Sequence, residues 1–409
     1  MKRAQLKFIF ALTLMAAIIL LSSCSHEGLV TEKIDPSLYE LRKFSSDFTL
    51  SSSTKFIVYG DNRPGWRLYE KVIEESNWKT WSLPVHLPAL LVNGFWGTIN
   101  YIRYIPDYGN PERRLVLREI YNEAITQNID FVAHTGDIVQ NGKHPLHWDK
   151  FLRETKIEIP LLNTLPFYPV PGNHDQANNK TYGAHNYDAV FPGARFYVKQ
   201  LPNAVLIFLD TSILHDKDNN LGSYAVRDSL FKEYYVSSEK NSKKSWLERQ
   251  LTDAAGKFKI IVMHHPPFSF GHHSDAWDMD GTDSETYRWR EELLTLLKNE
   301  EVKLIFAGHE HYYEHSLLSY VHNGNDKQMN IVITGGGGTP LRELTSLEEV
   351  EYIASRFRSQ GHSVEVISRF ESYNYCIVEL RDGKIFIQVK KVHTDKKRGA
   401  EIIDEIVIE

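Results

Sequence analysis

The sequence predicts an α/β fold with substantial parallel strand pairing, and two observations carry that prediction. Six apolar runs, KFIVYGDNR, IDFVAHTGD, PFYPVPGNHD, AVLIFLDTS, FKIIVMHHPP and VKLIFAGHEH, each end in a small or polar cluster, as buried strands do when they empty into loops. Between them lie stretches with apolar residues at helical spacing. These are PERRLVLREIYNEAITQ, which opens with Pro111 at a favourable first-turn position, KKSWLERQLTDAA and YRWREELLTLLKNE. Three later runs, QMNIVITGGGG, SYNYCIVELRDG and KIFIQVKKVH, read as strands without long helices between them, and Asp382-Gly383 marks a hairpin turn between the last two.

Composition bounds the possibilities. The chain has 409 residues, 42% hydrophobic and 24% charged, which excludes a disordered protein and suffices for one large domain or two ordinary ones. A formal net charge of -6, with no long basic run before KKVHTDKKRG, leaves no reason for an obligatory nucleic-acid partner. That late basic segment reads as a solvated hairpin or loop, and no protein partner is predicted.

The chain begins MKRAQLKFIFALTLMAAIILLSSC. Lys2, Arg3 and Lys7 precede an apolar stretch from Phe8 to Leu21, the length of a signal-peptide core and short for a comfortable membrane span. The closing LSSC resembles the bacterial lipobox, which implies lipidation of Cys24 after cleavage. The competing reading is an ordinary signal peptide or anchor with an incidental cysteine. The expected organisation is a signal peptide at 1–24, a tether and entry segment at 25–54 and one domain at 55–409, with an aromatic insert at about 63–110 and C-terminal strands at about 370–409. The expected location is the cell envelope, with the membrane reached through the lipid on Cys24. Ser25 in place of aspartate favours the outer membrane if the source is Gram-negative. Apart from Cys24 the only cysteine is Cys376, so the mature chain forms no internal disulfide.

Five of the strand ends carry metal-type side chains: Asp61, then Asp137, then Asn173 with His174, then His264, then His309 and His311. Any one Gly-Asp pair after a strand is ordinarily a turn. Five such ends in order are hard to reconcile with independent turns, because the carboxyl edge of an α/β sheet is where ligands bind. Carboxylate and amide oxygen with imidazole nitrogen suit Mn, Fe, Zn or Ni, and the lack of thiolates argues against a structural zinc site. A catalytic pair of metals fits this donor set.

The series GDNR, GDIVQNG, GNHD, HHPP and GHEH resembles the calcineurin-like metallophosphoesterases, a family that includes purple acid phosphatases and many phosphodiesterases. The match runs from about Lys55 to about Arg342, where TGGGGTPLRE resembles the family's closing glycine-rich strand. The resemblance implies a β-sandwich of two mixed sheets flanked by helices, with a dinuclear centre on loops at the strand ends. It implies two divalent ions, of Mn, Fe, Zn or Mg, acting on a phosphoester substrate. Asp137 would bridge both metals, Asp61 and His311 would complete one, and Asn173, His264 and His309 the other. His174 would face the substrate phosphate and assist the leaving group, with Asp175 orienting its ring. His265, beside the ligand, is expected to pack or shape the pocket. Metal-activated water would attack phosphorus in line.

One departure from the family pattern stands out. Many members have Asp-x-His first, whereas this chain has Asp61-Asn62-Arg63, and the position three residues after the bridging aspartate, tyrosine in purple acid phosphatases, is Gln140. Gln140 or water would then fill the vacant place, leaving a weaker and harder first-metal site. Arg63 either binds substrate phosphate through its planar fork or makes a structural salt bridge. The long aromatic connection at about 63–110 reads as a lid or as a small packed subdomain burying Trp66, Trp78, Trp81 and Trp96. The loop FGHHSDAWDMDG is a candidate second wall of the site. The expected function is a phosphatase or phosphodiesterase of the cell envelope. The alternative is a lipid-anchored phospho-ligand binding protein whose metal site has degenerated.

Overall fold

The computed structural model describes residues 28–39, 54–63, 112–176, 183–215, 224–237, 243–395 and 398–409. Cys24 and the aromatic connection, apart from Arg63, lie outside the described residues. Thirteen strands among these residues form two mixed sheets. The first has the order β13-β12-β11-β1-β2-β3, from β1 (Thr54–Tyr59), β2 (Phe131–His134), β3 (Phe167–Pro169), β11 (Asn374–Arg381), β12 (Lys384–Val392) and β13 (Ala400–Ile408). The second has the order β10-β8-β9-β7-β6-β5-β4, from β4 (Phe196–Gln200), β5 (Ala204–Leu209), β6 (Phe258–Met263), β7 (Leu304–Ala307), β8 (Tyr313–His322), β9 (Asn325–Thr334) and β10 (Ser363–Phe370). Parallel pairing joins β1 to β2 and β2 to β3, and likewise β5, β6, β7 and β9. The remaining pairs are antiparallel.

The β-sandwich follows from burial on both faces. Phe56, Val58, Phe131, Leu206, Val262, Phe306 and Val378 point into one apolar layer between the sheets. Alternate residues, Ile57, Val132 and Ile377, face the helices Glu112–Thr126 and Pro145–Arg153 on one side. Ile207, Ile261 and Ile305 face Trp246–Asp253, Glu285–Asn299 and Leu347–Ser359 on the other. A strand covered on both faces reads as a continuous apolar run, which is why AVLIFL and KIIVM show no alternation. Ser245 and Glu248 form a reciprocal capping box at the start of Trp246–Asp253, where the run KKSWLERQLTDAA places them three residues apart.

Asp382 and Gly383, at φ 52° and 71°, form the expected two-residue hairpin, with Arg381 opposite Lys384. The segment KKVHTDKKRG runs from the end of β12 toward β13, with which β12 pairs antiparallel. Residues 28–39, expected as part of the tether, instead dock on the domain. They form the short helical turns Val30–Lys33 and Pro36–Tyr39, bury Val30, Ile34 and Leu38, and donate the Val30 N–H to Asn186 Oδ1 at 2.8 Å. Among the described residues no helix is long and apolar enough to cross a membrane.

Candidate metal centre

The parallel strands of both sheets end at one edge, where the Gly60 N–H donates to the Thr334 carbonyl at 3.0 Å and so ties the end of β1 to the end of β9. Loops leaving β1, β2, β3, β6 and β7 carry Asp61, Asp137, Asn173 with His174, His264, and His309 with His311 into one cluster. Asp61, Asp137 and His309 have φ of 55°, 58° and 73°. Non-glycine residues are rarely held in this left-handed region, and where they are the surrounding structure supports a small strain. Each of these side chains reaches a neighbouring loop: Asp61 Oδ2 accepts the His309 N–H and Asp137 Oδ1 the His174 N–H, both at 2.9 Å, and His309 Nδ1 meets Asn173 Oδ1.

The donor atoms converge on each other. His264 Nε2 lies 3.0 Å from Asn173 Oδ1 and 3.5 Å from Asp137 Oδ1. His309 Nδ1 lies 3.2 Å from Asn173 Oδ1 and 3.3 Å from His264 Nε2. The His264 Nδ1–H donates to the Thr135 carbonyl at 2.9 Å, so Nε2 carries a lone pair toward the amide oxygen. Likewise the His311 Nδ1–H donates to the Pro340 carbonyl at 3.1 Å, which turns its Nε2 lone pair inward, 3.8 Å from Asp61 Oδ1. Burial keeps the His264, His309 and His311 rings neutral, with neighbouring imidazoles and Arg63 adding to the effect.

The two carboxylates pull apart. Burial and the charge of Asp137 push the Asp61 carboxyl well up. Burial also acts on Asp137, but His264, His174 and Arg63 outweigh it and hold that carboxyl at about 2. Asp61 Oδ2 accepts the His309 N–H at 2.9 Å, while Oδ1 is buried without a hydrogen-bond partner. Facing lone pairs, two close carboxylates and an orphaned buried oxygen are the features a cation resolves, so the residues fit divalent metal. Asn173, His174 and His309 are half-buried whereas Asp61, Asp137, His264 and His311 are buried, so the cluster opens to solvent on the Asn173 side.

Three of the sequence-predicted residues make contacts other than those expected. Asp175 does not touch the His174 ring. Its Oδ1 accepts the N–H groups of Ile138 and Val139 at 2.8 and 2.9 Å, and its Oδ2 that of Gly172 at 2.9 Å, which binds the Asp137 loop to the Asn173 loop. The His174 ring is instead oriented by the Gln140 carbonyl, which accepts Nδ1–H at 2.8 Å. Burial, then the Arg63 charge, pushes the His174 imidazole down to about 4, so the neutral ring presents an Nε2 lone pair 4.0 Å from Asp137 Oδ2. In this state it accepts at Nε2, whereas the leaving-group role expected of it needs a proton there. Gln140 turns its side-chain oxygen to Arg63 Nη1 at 2.6 Å. Arg63 is itself buried, not displayed on a turn.

Three residues near the site were not singled out by sequence reasoning. His134 accepts the Gly136 N–H at Nδ1 and lies 3.2 Å from Asn62 Oδ1 through Nε2, a buried neutral ring that braces two of the loops. Arg342 reaches His273 Nε2 at 2.6 Å, and the His273 ring lies over His309 with centroids 4.2 Å apart. His215 stacks on His265 at 4.1 Å. His265, buried, lies 3.0 Å from Thr211 Oγ1 through Nδ1 and against His309, and its ring offers a ligand atom within 4.8 Å of those of His264 and His309. Nothing in the spacing of these residues says which imidazoles stack.

Comparison with known proteins agrees with this geometry. Residues 85–313 match the family model of the calcineurin-like phosphoesterases. A probable glycerophosphodiester phosphodiesterase of Arcobacter nitrofigilis is 31% identical over 186 residues, 44% of this chain and 56% of that protein. Purple acid phosphatase 3 of Arabidopsis thaliana is 27% identical over 259 residues, 61% of this chain and 63% of that protein. The chain thus spans less than two thirds of the length of either relative. The structure of a purple acid phosphatase from yellow lupin (Lupinus luteus) seeds shares the fold, with a TM-score of 0.56 at 15% identity over 88% of this chain and 54% of that one. With more than half of its length matched and the ligand cluster at the strand ends, this chain belongs to the calcineurin-like phosphoesterase family.

Proposed function

We propose that the chain is a metal-dependent phosphoester hydrolase of the cell envelope. The observation that supports this best is the convergence of His264 Nε2, Asn173 Oδ1, His309 Nδ1 and Asp137 Oδ1 from four separate loops, with lone pairs facing each other. Family members use two divalent metals, and here Asn173, His264 and His309 would hold one on the open side, Asp61 and His311 the other on the buried side, with Asp137 serving both. When bound, the metals would supply Lewis acidity to water and to the phosphoryl oxygens. The chain's own residues then orient and exclude. His174, anchored by Gln140, would receive a proton or hydrogen bond at Nε2, and Asp175 holds the Asp137 and Asn173 loops in register. The attachment of lipid at Cys24 is part of the same proposal, resting on LSSC, and loss of labelled-palmitate incorporation in Cys24→Ala tests it.

The relatives carry names of both a diesterase and monoesterases, so the substrate class is tested with p-nitrophenyl phosphate and bis-p-nitrophenyl phosphate in added manganese. Turnover by the wild type that vanishes in Asp137→Asn supports the hydrolase, and the preferred reagent separates mono- from diesterase. No turnover of either reagent with any divalent metal, in a chain that still binds metal, would favour the second reading, a phospho-ligand binding protein. That reading draws on the burial of Arg63 inside the ligand cluster.

A further inference from the structure

Arg63 makes three hydrogen-bonding contacts, one from each guanidinium nitrogen. Nε donates to Asp137 Oδ2 at 3.1 Å, Nη1 to Gln140 Oε1 at 2.6 Å, and Nη2 to His311 Nε2 at 3.2 Å. Asp137, Gln140 and His311 are three of the side chains that sequence reasoning assigned to the first metal. The fourth, Asp61, lies alongside, its Oδ1 3.8 Å from His311 Nε2. A guanidinium is a permanently charged planar donor that cannot be neutralised in a protein, and it satisfies diverging acceptors as a metal would, though with one charge instead of two.

The placement is held by the surrounding backbone. Thr339 Oγ1–H donates to the Arg63 carbonyl at 3.0 Å and the Thr339 N–H to the Asp61 carbonyl at 2.9 Å, which fixes the loop that carries the side chain. The Arg63 side chain is 4% exposed, deeper than half-buried Asn173, His174 and His309, although its Nε shares Asp137 Oδ2 with His174 Nε2, at 3.1 and 4.0 Å. A residue that greets substrate phosphate would point to the open side. The His311 tautomer agrees with this arrangement: Nδ1–H is committed to the Pro340 carbonyl, so Nε2 can accept from the guanidinium.

We infer that Arg63 acts as a resident cation at the first-metal position, so that the chain loads one divalent ion on the Asn173–His264–His309 side and admits a second only by displacing Arg63. This inference rests on the metal-centre reading and adds an order and an asymmetry to it. Metal and guanidinium compete for the same oxygen of Asp137, the same nitrogen of His311 and the same oxygen of Gln140. A charge-assisted contact is roughly twice as strong as a neutral hydrogen bond, so losing this set weakens the second site by at least about tenfold.

The test is calorimetric titration of the metal-stripped full chain with manganese, with bound metal counted by mass spectrometry. The same titration is run on Arg63→Ala and on Arg63→His, which restores the Asp-x-His pattern of many family members. The wild type is expected to take one manganese tightly and a second at least about tenfold more weakly. At one equivalent it should show the six-line paramagnetic resonance spectrum of an isolated ion. Arg63→His should bind two with affinities within about threefold and show a spin-coupled spectrum at two equivalents, and Arg63→Ala should also strengthen the second site. Two equally tight ions in the wild type would overturn the inference without harming the metal-centre reading. So would a weak second site unchanged in folded variants, while failure of the wild type to bind any ion would sink both. Equal affinity in the wild type refutes the inference without any variant, and if Arg63→His does not fold, Arg63→Ala carries the comparison that separates displacement of Arg63 from the mere lack of a histidine ligand.

Discussion

Replacing Gly172 by alanine perturbs the site through one methyl group. Its φ is not in the left-handed region, so the glycine is needed for close approach and not for conformational freedom. A Cβ built there would stand 2.2 Å from Asp137 Oδ1 and 2.3 Å from the Asp137 backbone nitrogen. Ordinary contacts between heavy atoms are about 3.5 Å, so the two loops must part by about 1 Å. The carboxylate oxygen can rotate, but the backbone nitrogen cannot. Whichever loop yields carries ligand candidates with it, Asp137 on one side or Asn173 and His174 on the other. The 3.0 Å approach of Asn173 Oδ1 to His264 Nε2 has no room for such a displacement. Overpacking of this kind costs about 1–3 kcal/mol of stability, and a misplacement of about 1 Å at reacting groups costs on the order of a hundredfold in rate. Circular dichroism confirms that the variant folds, mass spectrometry counts its metal, and turnover of bis-p-nitrophenyl phosphate measures the rest. A folded Gly172→Ala with wild-type metal content and turnover within about threefold would show that the loops are not rigidly coupled, and the reasoning would be wrong.

Two other predictions rest on buried carboxylates. Asp175→Ala orphans three buried N–H donors, those of Ile138, Val139 and Gly172, and is expected to lower unfolding free energy by on the order of 3 kcal/mol or more. Urea unfolding measures it, and a loss under about 1 kcal/mol would mean that water reaches those donors. Glu314 is fully buried between the Phe270 N–H and Tyr312, and burial raises its carboxyl to about 7. The folded chain therefore keeps this proton at pH values where the unfolded chain has released it. Stability falls as pH rises from the unfolded value, 4.5, through about 7, by up to about 3 kcal/mol. Glu314→Gln should flatten that fall between pH 5 and 8. An undiminished pH dependence in the variant would assign the effect elsewhere.

Much of the fold was legible because its determinants are local. A strand buried on both faces must be apolar throughout, and a strand that ends at a ligand site must stop in small and polar residues. KIIVMHH and LIFAGHEH therefore display both their burial and their exit in the letters themselves. Strands β4, β8 and β10 were not legible, since each has a mixed pattern of buried and exposed residues; β8 forms a hairpin with the neighbouring β9, whereas β10 owes its place to β8, well back in the chain. The metal-type side chains could be named from the sequence for the same local reason: residue type and position at a strand end are enough to nominate Asp61, Asp137, Asn173, His264, His309 and His311.

What they touch is a different matter, decided by packing. That Asp175 ties two loops instead of orienting His174, that Gln140 holds His174 by its backbone, and that His273 lies over His309 all depend on residues separated by tens of positions. Arg63 is the clearest case. The sequence by itself determined that an arginine stands where many relatives have a histidine. Only the tertiary structure decided that its guanidinium turns inward onto Asp137, Gln140 and His311, because those acceptors meet in space only after the ends of β1, β2 and β7 are brought to one edge of the sandwich.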